Sequence, residues 1–332
     1  MLWILHVMLG AQEWGWEDED PRTIQFDDEA WDIIIKECHE NGINAILLDV
    51  GEGVQYPSHP ELARPGSWPV ERVHKEVKRL KELGIALIPF VNFSATHHHW
   101  LGDYAKMMST EPYYKVCREL IQDTYEMFGK PPYIMLGMDE EDNTFCLRNM
   151  KGLVSMRRGK LFWHDLQFLC DCVRETGASP WIAADHLIKF PEEFRKNVST
   201  EDITLIPWHY MAVKKEHYSR IDSLPMYKEF YSQEPLCYMN LTYVEDDAYF
   251  VNFMKQVKPG AEYGYNMIPM VSTYNKCEYC TDDHMDYFWN NIPRERFKGF
   301  STAPWVYTTM EYVDEIVRSI HLLREAREKY CK

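Results

Sequence analysis

Val70-Glu-Arg-Val-His-Lys-Glu-Val-Lys-Arg-Leu80-Lys-Glu-Leu-Gly84-Ile-Ala-Leu-Ile-Pro-Phe90 reads as one complete helix, turn and strand. Val70, Val73, Val77, Leu80 and Leu83 recur at the spacing of a single helix face, while Glu71, Lys75, Lys78 and Lys81 fall elsewhere. Pro69 suits the first turn of that helix, and Gly84 supplies the left-handed position that ends it. The apolar run from Ala86 to Phe90 then has the length of a strand buried on both faces. The same order recurs along the chain. Asn41-Gly42-Ile43 precedes Ala45 to Asp49, Phe128-Gly129 precedes 133–138, and Thr176-Gly177 precedes 181–185. Glycines 42, 84, 129 and 177 stand 42, 45 and 48 residues apart, about one strand and helix per repeat.

Further strands are expected at Leu2 to Met8, 203–208, 236–241 and 297–303, which makes eight. A closing helix carries Val313, Ile316, Val317, Ile320 and Leu323 on one face. Strands and helices alternating over this length imply a parallel sheet, and eight units imply an α/β fold of the (β/α)8 TIM-barrel kind, a single domain over 1–332. A ninth apolar stretch, 264–272, is placed in an insertion around 258–292 between the last two units, with displacement of a neighbouring strand as the alternative. An open doubly wound sheet is the alternative, but no G-x-G-x-x-G or phosphate-cradling loop recommends it.

With 332 residues, 45% hydrophobic and 14% aromatic, the chain has the material for one large core. Its formal charge of -16 argues against nucleic acid or an anionic membrane as partner, because phosphate binding needs clustered Lys and Arg. A neutral ligand fits that charge better. No run approaches the roughly 20 apolar residues of a membrane span, and Met1-Leu-Trp-Ile-Leu-His6 enters a strand without the basic start of a signal peptide. A cytoplasmic location is therefore expected. Nine scattered cysteines read as reduced thiols, not as a disulfide framework.

In a barrel, function sits where the strands end. Tyr133-Ile-Met-Leu-Gly-Met-Asp139-Glu140-Glu141-Asp142 is a buried run that discharges into four consecutive carboxylates. Like charges this close resist simultaneous ionisation, so a carboxyl with a raised pKa is expected there. The other strand ends carry Gln12, Glu13, Trp14 and Trp16, then Asp49 and Glu52, then Asn92 and His97 to His99. After them come Asp185 and His186, Trp208, His209 and Tyr210, Asn240, Tyr243 and Glu245, and finally Trp305 and Tyr307. Indoles beside carboxylates and amides suit sugar rings, whose C–H faces stack on aromatics while their hydroxyls need polar partners.

Residues 41–141 resemble the family-20 glycoside hydrolases, the β-N-acetylhexosaminidases. Leu136-Gly137-Met138-Asp139-Glu140 is similar to that family's H-x-G-G-D-E signature after the fourth strand, and Gly84-Ile-Ala-Leu-Ile-Pro89 to its G-I-x-V-I-P third strand. The resemblance implies that Asp139 orients the substrate's 2-acetamido group and that Glu140 is the general acid and base. It puts Thr96 or His97 where the family has a His that tunes the Glu. It likens Trp208 and Trp305 to pocket tryptophans, and Tyr243-Val-Glu245 to a Tyr-x-Asp pair at the acetamide. Four positions depart. His6-Val-Met-Leu-Gly-Ala-Gln12 offers no counterpart of the Arg that grips sugar hydroxyls after the first strand. Met138 replaces the second Gly, Asn92 a third-strand Asp, and Ala184 a Trp before Asp185.

The implied reaction is substrate-assisted hydrolysis of a terminal β-linked N-acetylhexosamine, with Asp49, Asn92, His97, Asp185, Trp208, Tyr243, Glu245 and Trp305 as candidate substrate-binding residues and no cofactor. Adjacent residues on a strand point to opposite sides, so Asp139 and Glu140 serve one substrate only if the strand end curls. Without the resemblance, Glu140 paired with Glu245 or Asp185 would suit a two-carboxylate glycosidase. A metal-dependent hydrolase or deacetylase using the His97 to His99 run, Asp139, Asp185 and His186 is a second class, and a glycan-binding barrel without chemistry a third. Cys277-x-x-Cys280 with His284 reads as loop thiols, because no clear fourth ligand follows at finger-like spacing.

Overall fold

The computed structural model describes residues 1–10, 23–141, 156–209, 254–273 and 281–331. Its strands are β1 (Leu2–Met8), β2 (Ala45–Asp49), β3 (Ala86–Phe90), β4 (Tyr133–Met135), β5 (Ser179–Ala183), β6 (Thr204–Ile206), β7 (Trp208–His209), β8 (Asn266–Met267), β9 (Met270–Ser272) and β10 (Gly299–Ala303). They form one sheet in the order β7-β9-β10-β1-β2-β3-β4-β5-β6-β8, and each pairing is parallel.

Ten segments make eight barrel positions, because two positions are interrupted at proline. Pro207 separates β6 from β7 and Pro269 separates β8 from β9; proline lacks the N–H that a central ladder needs. The bent strand β8–β9 bonds on both sides. Ile268 N donates to Leu205 O and Met270 N to Pro207 O, each at 2.9 Å, while Lys298 N reaches Met267 O at 2.9 Å and Ser301 N reaches Pro269 O at 2.8 Å. The ring therefore closes as an α/β barrel of the (β/α)8 type.

This corrects one sequence expectation. The 264–272 stretch is not part of an insertion; it supplies the seventh barrel strand, and the helices Val257–Tyr263 and Thr281–Asn291 flank it as ordinary connections. Methionines and an X-Pro break gave it a weaker strand signal than its neighbours. The strand expected at 236–241 lies outside the described residues.

Alternation divides the strand side chains between two cores. Ile4, Ala45, Leu47, Ile88, Phe90, Met135, Trp181, Ile206, Ile268, Met270 and Ala303 pack inside the barrel. Their neighbours Leu5, Ile46, Leu48, Leu87, Ile134, Ile182 and Leu205 pack outward against the helices. Both faces are buried, which is why these strands read as unbroken apolar runs. The unit that opened the sequence folds as expected: the helix Val70–Glu82 leads through Gly84, at φ 73°, into β3. No helix among the described residues is long and apolar enough to cross a membrane.

Candidate active site

At the C-terminal end of β4 the chain leaves strand geometry abruptly. Gly137, Met138 and Glu140 have φ of 73°, 67° and 56°, in the left-handed region. Gly137 is required twice over, by that φ and by space: a Cβ there would stand 2.0 Å from Asn92 Oδ1. Met138 and Glu140 adopt the same region at a cost on the order of 1 kcal/mol each. The curl turns two adjacent carboxylates toward one imidazole. His97 Nε2 lies 3.1 Å from Glu140 Oε2 and 3.3 Å from Asp139 Oδ2.

Asp139 is held from its other side as well. Ser94 Oγ lies 2.5 Å from Asp139 Oδ1, Asp139 N donates back to that hydroxyl at 2.9 Å, and Asn92 Nδ2 donates to Oδ1 at 3.4 Å. Beside the pair, Asp185 Oδ1 accepts from Glu140 N at 3.2 Å and Oδ2 accepts from Trp208 Nε1 at 2.9 Å. Two residues after the end of β5, Asp185 starts the short helix Asp185–Lys189.

The electrostatics follow from this geometry. Burial alone would push His97 down, but the charge and hydrogen bond of Asp139, with those of Glu140, hold it well above its ordinary value, as an imidazolium. Burial alone would raise Asp139, and the charge and hydrogen bonds of His97 and Ser94 outweigh it, so Asp139 sits below the usual carboxylate range. Asp185 is pushed up, to about 7, and burial also raises Asp49. At Asp185 burial acts first, the Lys189 charge opposes, and the Asp139 charge reinforces. Asp185, a raised carboxyl, thus lies after β5, beside the acidic run.

A carboxyl-detected NMR titration is expected to show Asp185 with a midpoint near 7, lower in Asp139→Asn and higher in Lys189→Met. A midpoint near the ordinary value of about 4 would contradict this. The sign for stability follows. The folded chain keeps a proton that the unfolded chain releases, so this group's contribution falls as pH rises from about 4 to about 7.

No protein-family model matches the sequence, and a search of curated proteins finds no match. Solved structures do match. An exo-β-N-acetylglucosaminidase of glycoside hydrolase family 20 from Vibrio harveyi, in complex with N-acetylglucosamine, superposes at TM-score 0.60 and 14% identity over 98% of this chain and 54% of that one. A β-N-acetylhexosaminidase from Bacteroides fragilis gives 0.61 and 12% over 98% and 65%. Dispersin B gives 0.57 and 11% over 97% of both chains. The fold is that of the family-20 glycoside hydrolase barrels. The chain spans about half the length of the Vibrio enzyme and nearly all of Dispersin B.

Within this family-20 fold, the third acid of the run has a different task. Glu141 is fully buried, where its Oε1 accepts from Ala95 N at 2.6 Å and pairs with the buried Arg157. Arg157 Nη2 also donates to Phe93 O at 2.6 Å, and Nη1 lies 3.7 Å from Asp165 Oδ2. Asp165 in turn accepts from Ser109 Oγ at 2.6 Å and Tyr114 OH at 2.5 Å. The network ties the loop after β3, which carries His97, to the loop after β4, which carries the acid pair. Arg157→Met is expected to cost about 3–5 kcal/mol, because it strands two buried carboxylates. Urea unfolding measures this, and a loss under about 1 kcal/mol would show that the network is not an anchor.

The remaining candidates divide. Asp49, Asn92, His97, Asp185, Trp208 and Trp305 all stand at the strand mouths. Of the two residues open for the tuning histidine, His97 is the one that reaches Glu140, while Thr96 Oγ1 donates to Asp139 O at 3.5 Å. His98 turns away among Tyr113 and His99, and burial drives it well below its ordinary value. His186 stacks flat on Phe162 at 3.5 Å, in the helix layer. Burial pushes His209 down to about 3, with the charges of His284 and Lys189 adding to it. Gln12, Glu13, Trp14, Trp16, Tyr210, Asn240, Tyr243, Glu245, Cys277 and Cys280 lie outside the described residues.

Two site residues escaped sequence reasoning. Ser94 had a readable signal, since it follows Asn92 by two and so shares its face in extended chain. Arg157 had none, because its partners are 16 and 64 residues away in sequence.

Proposed function

We propose that this chain is a retaining glycoside hydrolase that removes a terminal β-linked N-acetylhexosamine, or a related sugar, by substrate-assisted catalysis. The observation that carries the reading is the curl at Gly137 to Glu140, which brings the Asp139 and Glu140 carboxylates to one imidazole. A regular strand end would part them. The acetamido carbonyl oxygen attacks C1 as the bond from C1 to the leaving oxygen breaks, and Glu140, taking a proton from the His97 imidazolium 3.1 Å away, passes it to that oxygen. Asp139, kept ionised by His97 and Ser94, accepts the acetamide N–H and offsets the positive charge of the oxazolinium ion. Water then adds at C1 while Glu140 takes its proton, so two inversions retain the configuration.

Turnover of p-nitrophenyl N-acetyl-β-D-glucosaminide, with strong inhibition by an N-acetyl thiazoline analogue, is the expected result. Hydrolysis of plain hexosides with indifference to thiazoline would sink the acetamido route, and no glycoside turnover at all would sink the hydrolase.

A second reading rests on the same three residues. Donor atoms of His97, Asp139 and Glu140 all lie within 4.8 Å of one another, a spacing that also suits three ligands of a divalent cation. Dialysis against a chelator separates the two. Substrate assistance leaves turnover unchanged, whereas a metal hydrolase loses it and regains it with zinc.

A further inference from the structure

At the exit from β5 the backbone ladder reaches both neighbouring strand ends. Ala183 N donates to Gly137 O at 2.8 Å on the β4 side, and Ala184 N to Ile206 O at 3.0 Å on the β6 side. The chain then turns into the short helix Asp185–Lys189, which directs its peptide groups along itself. The Asp185 side chain continues the bridge one step above the ladder. Its Oδ1 accepts from Glu140 N at 3.2 Å, on the β4 side, and its Oδ2 from Trp208 Nε1 at 2.9 Å, on the β6 and β7 side. The residue is 7% exposed, so both oxygens of a nearly buried carboxylate are engaged within the chain.

The two donors belong to groups whose placement is otherwise weakly fixed. Glu140 has φ 56°, a left-handed backbone that a residue with a Cβ keeps only when its surroundings impose it. A hydrogen bond from its N–H to an ionised acceptor is of the stronger kind and helps impose it. Trp208 is only partly buried, its ring lying on top of the inner core. Apolar contact beneath a ring leaves its rotation in plane open, and a directional N–H bond removes that freedom. The clamp itself is held from behind, since His186, the next residue, stacks on Phe162 at 3.5 Å and 8°.

We infer that Asp185 is a positioning residue: its carboxylate ties the Glu140 backbone and the Trp208 ring to one point, and so sets the spacing between the acid and the indole across the substrate. The inference rests on the hydrolase reading above, and it gives Asp185 a task different from the sugar contact expected of it. A carboxylate serves here because it offers two acceptors facing opposite ways. An amide in its place would turn an NH2 against one of the two N–H groups.

The test uses Asp185→Leu, Asp185→Asn, Trp208→Phe and the double variant Asp185→Leu with Trp208→Phe. The indole N–H resonance of Trp208, identified by its loss in Trp208→Phe, is expected downfield in the wild-type chain and shifted upfield in Asp185→Leu. On p-nitrophenyl N-acetyl-β-D-glucosaminide, Asp185→Leu is expected to lower kcat on the order of 10- to 100-fold with a smaller change in KM. Asp185→Asn, which keeps one acceptor, should lose less. After Trp208→Phe, which keeps a ring and removes the N–H, Asp185→Leu should cost less than it does alone, because part of its effect runs through the indole. If Asp185→Leu fails to fold, Asp185→Asn carries the same comparisons. An unmoved indole resonance overturns the tie whatever the turnover. A loss confined to KM and additive with Trp208→Phe overturns the positioning role in favour of a sugar contact, while the hydrolase stands. A wild-type chain that cleaves no glycoside overturns the hydrolase reading and the positioning role with it.

Discussion

Glu140→Gln is expected to lower kcat on the order of 100- to 10,000-fold while leaving the fold intact. The glutamine keeps the shape of the side chain, and its carbonyl oxygen still accepts from His97 Nε2. Its backbone N–H still donates to Asp185 Oδ1. What is lost is the proton that the leaving oxygen needs and the base that activates water. His97 also loses one of the two charges that hold it up, so its NMR titration should move down in this variant. Circular dichroism and urea unfolding establish the fold, and steady-state kinetics the loss. A folded Glu140→Gln with near wild-type turnover would remove Glu140 from the chemistry.

Asp139→Asn is expected to be nearly as damaging, with a kcat loss on the order of 100- to 1,000-fold on N-acetyl substrates. Here two effects act together. The charge that offsets the oxazolinium ion disappears. The asparagine oxygen is also drawn to Ser94 and Asn92, which donate to the carboxylate oxygen Oδ1, and this turns the new NH2 toward His97 Nε2. Two donors then face each other, and His97 gives up its proton. Thiazoline affinity should fall in parallel with kcat, since the analogue resembles the intermediate that Asp139 stabilises. An equal loss on plain hexosides would show that Asp139 acts only as scaffolding.

Much of the barrel was legible because its information is local. The helix at Val70–Glu82 and the glycine turns at 42, 84, 129 and 177 repeat a pattern set by nearest neighbours, and all four glycines hold positive φ. The seventh strand was misplaced because ladder partners 62 residues apart, such as Thr204 and Asn266, leave no mark in local periodicity.

At the site, the acid pair was readable but its electrostatics were not. The raised Asp185 carboxyl, on the short helix after β5, could not be read from sequence, because burial and the opposing charges of Lys189 and Asp139 combine only in the fold. The departures from the family pattern also found physical roles. Met138 takes the left-handed backbone that glycine would take freely, and packs its sulfur 3.7 Å from Arg157 Nη2. Asn92 holds Asp139 through an N–H without adding a second negative charge beside it.

The most direct measurement of substrate assistance is kcat/KM across N-acetyl-β-glucosaminides whose acetyl group carries zero, one, two or three fluorines. Fluorine draws electrons from the amide oxygen and weakens it as a nucleophile while changing the shape little. If the acetamide attacks C1 against Asp139, kcat/KM falls steeply with each fluorine added. A flat series, accompanied by a covalent glycosyl adduct on a carboxylate of the chain, would contradict it.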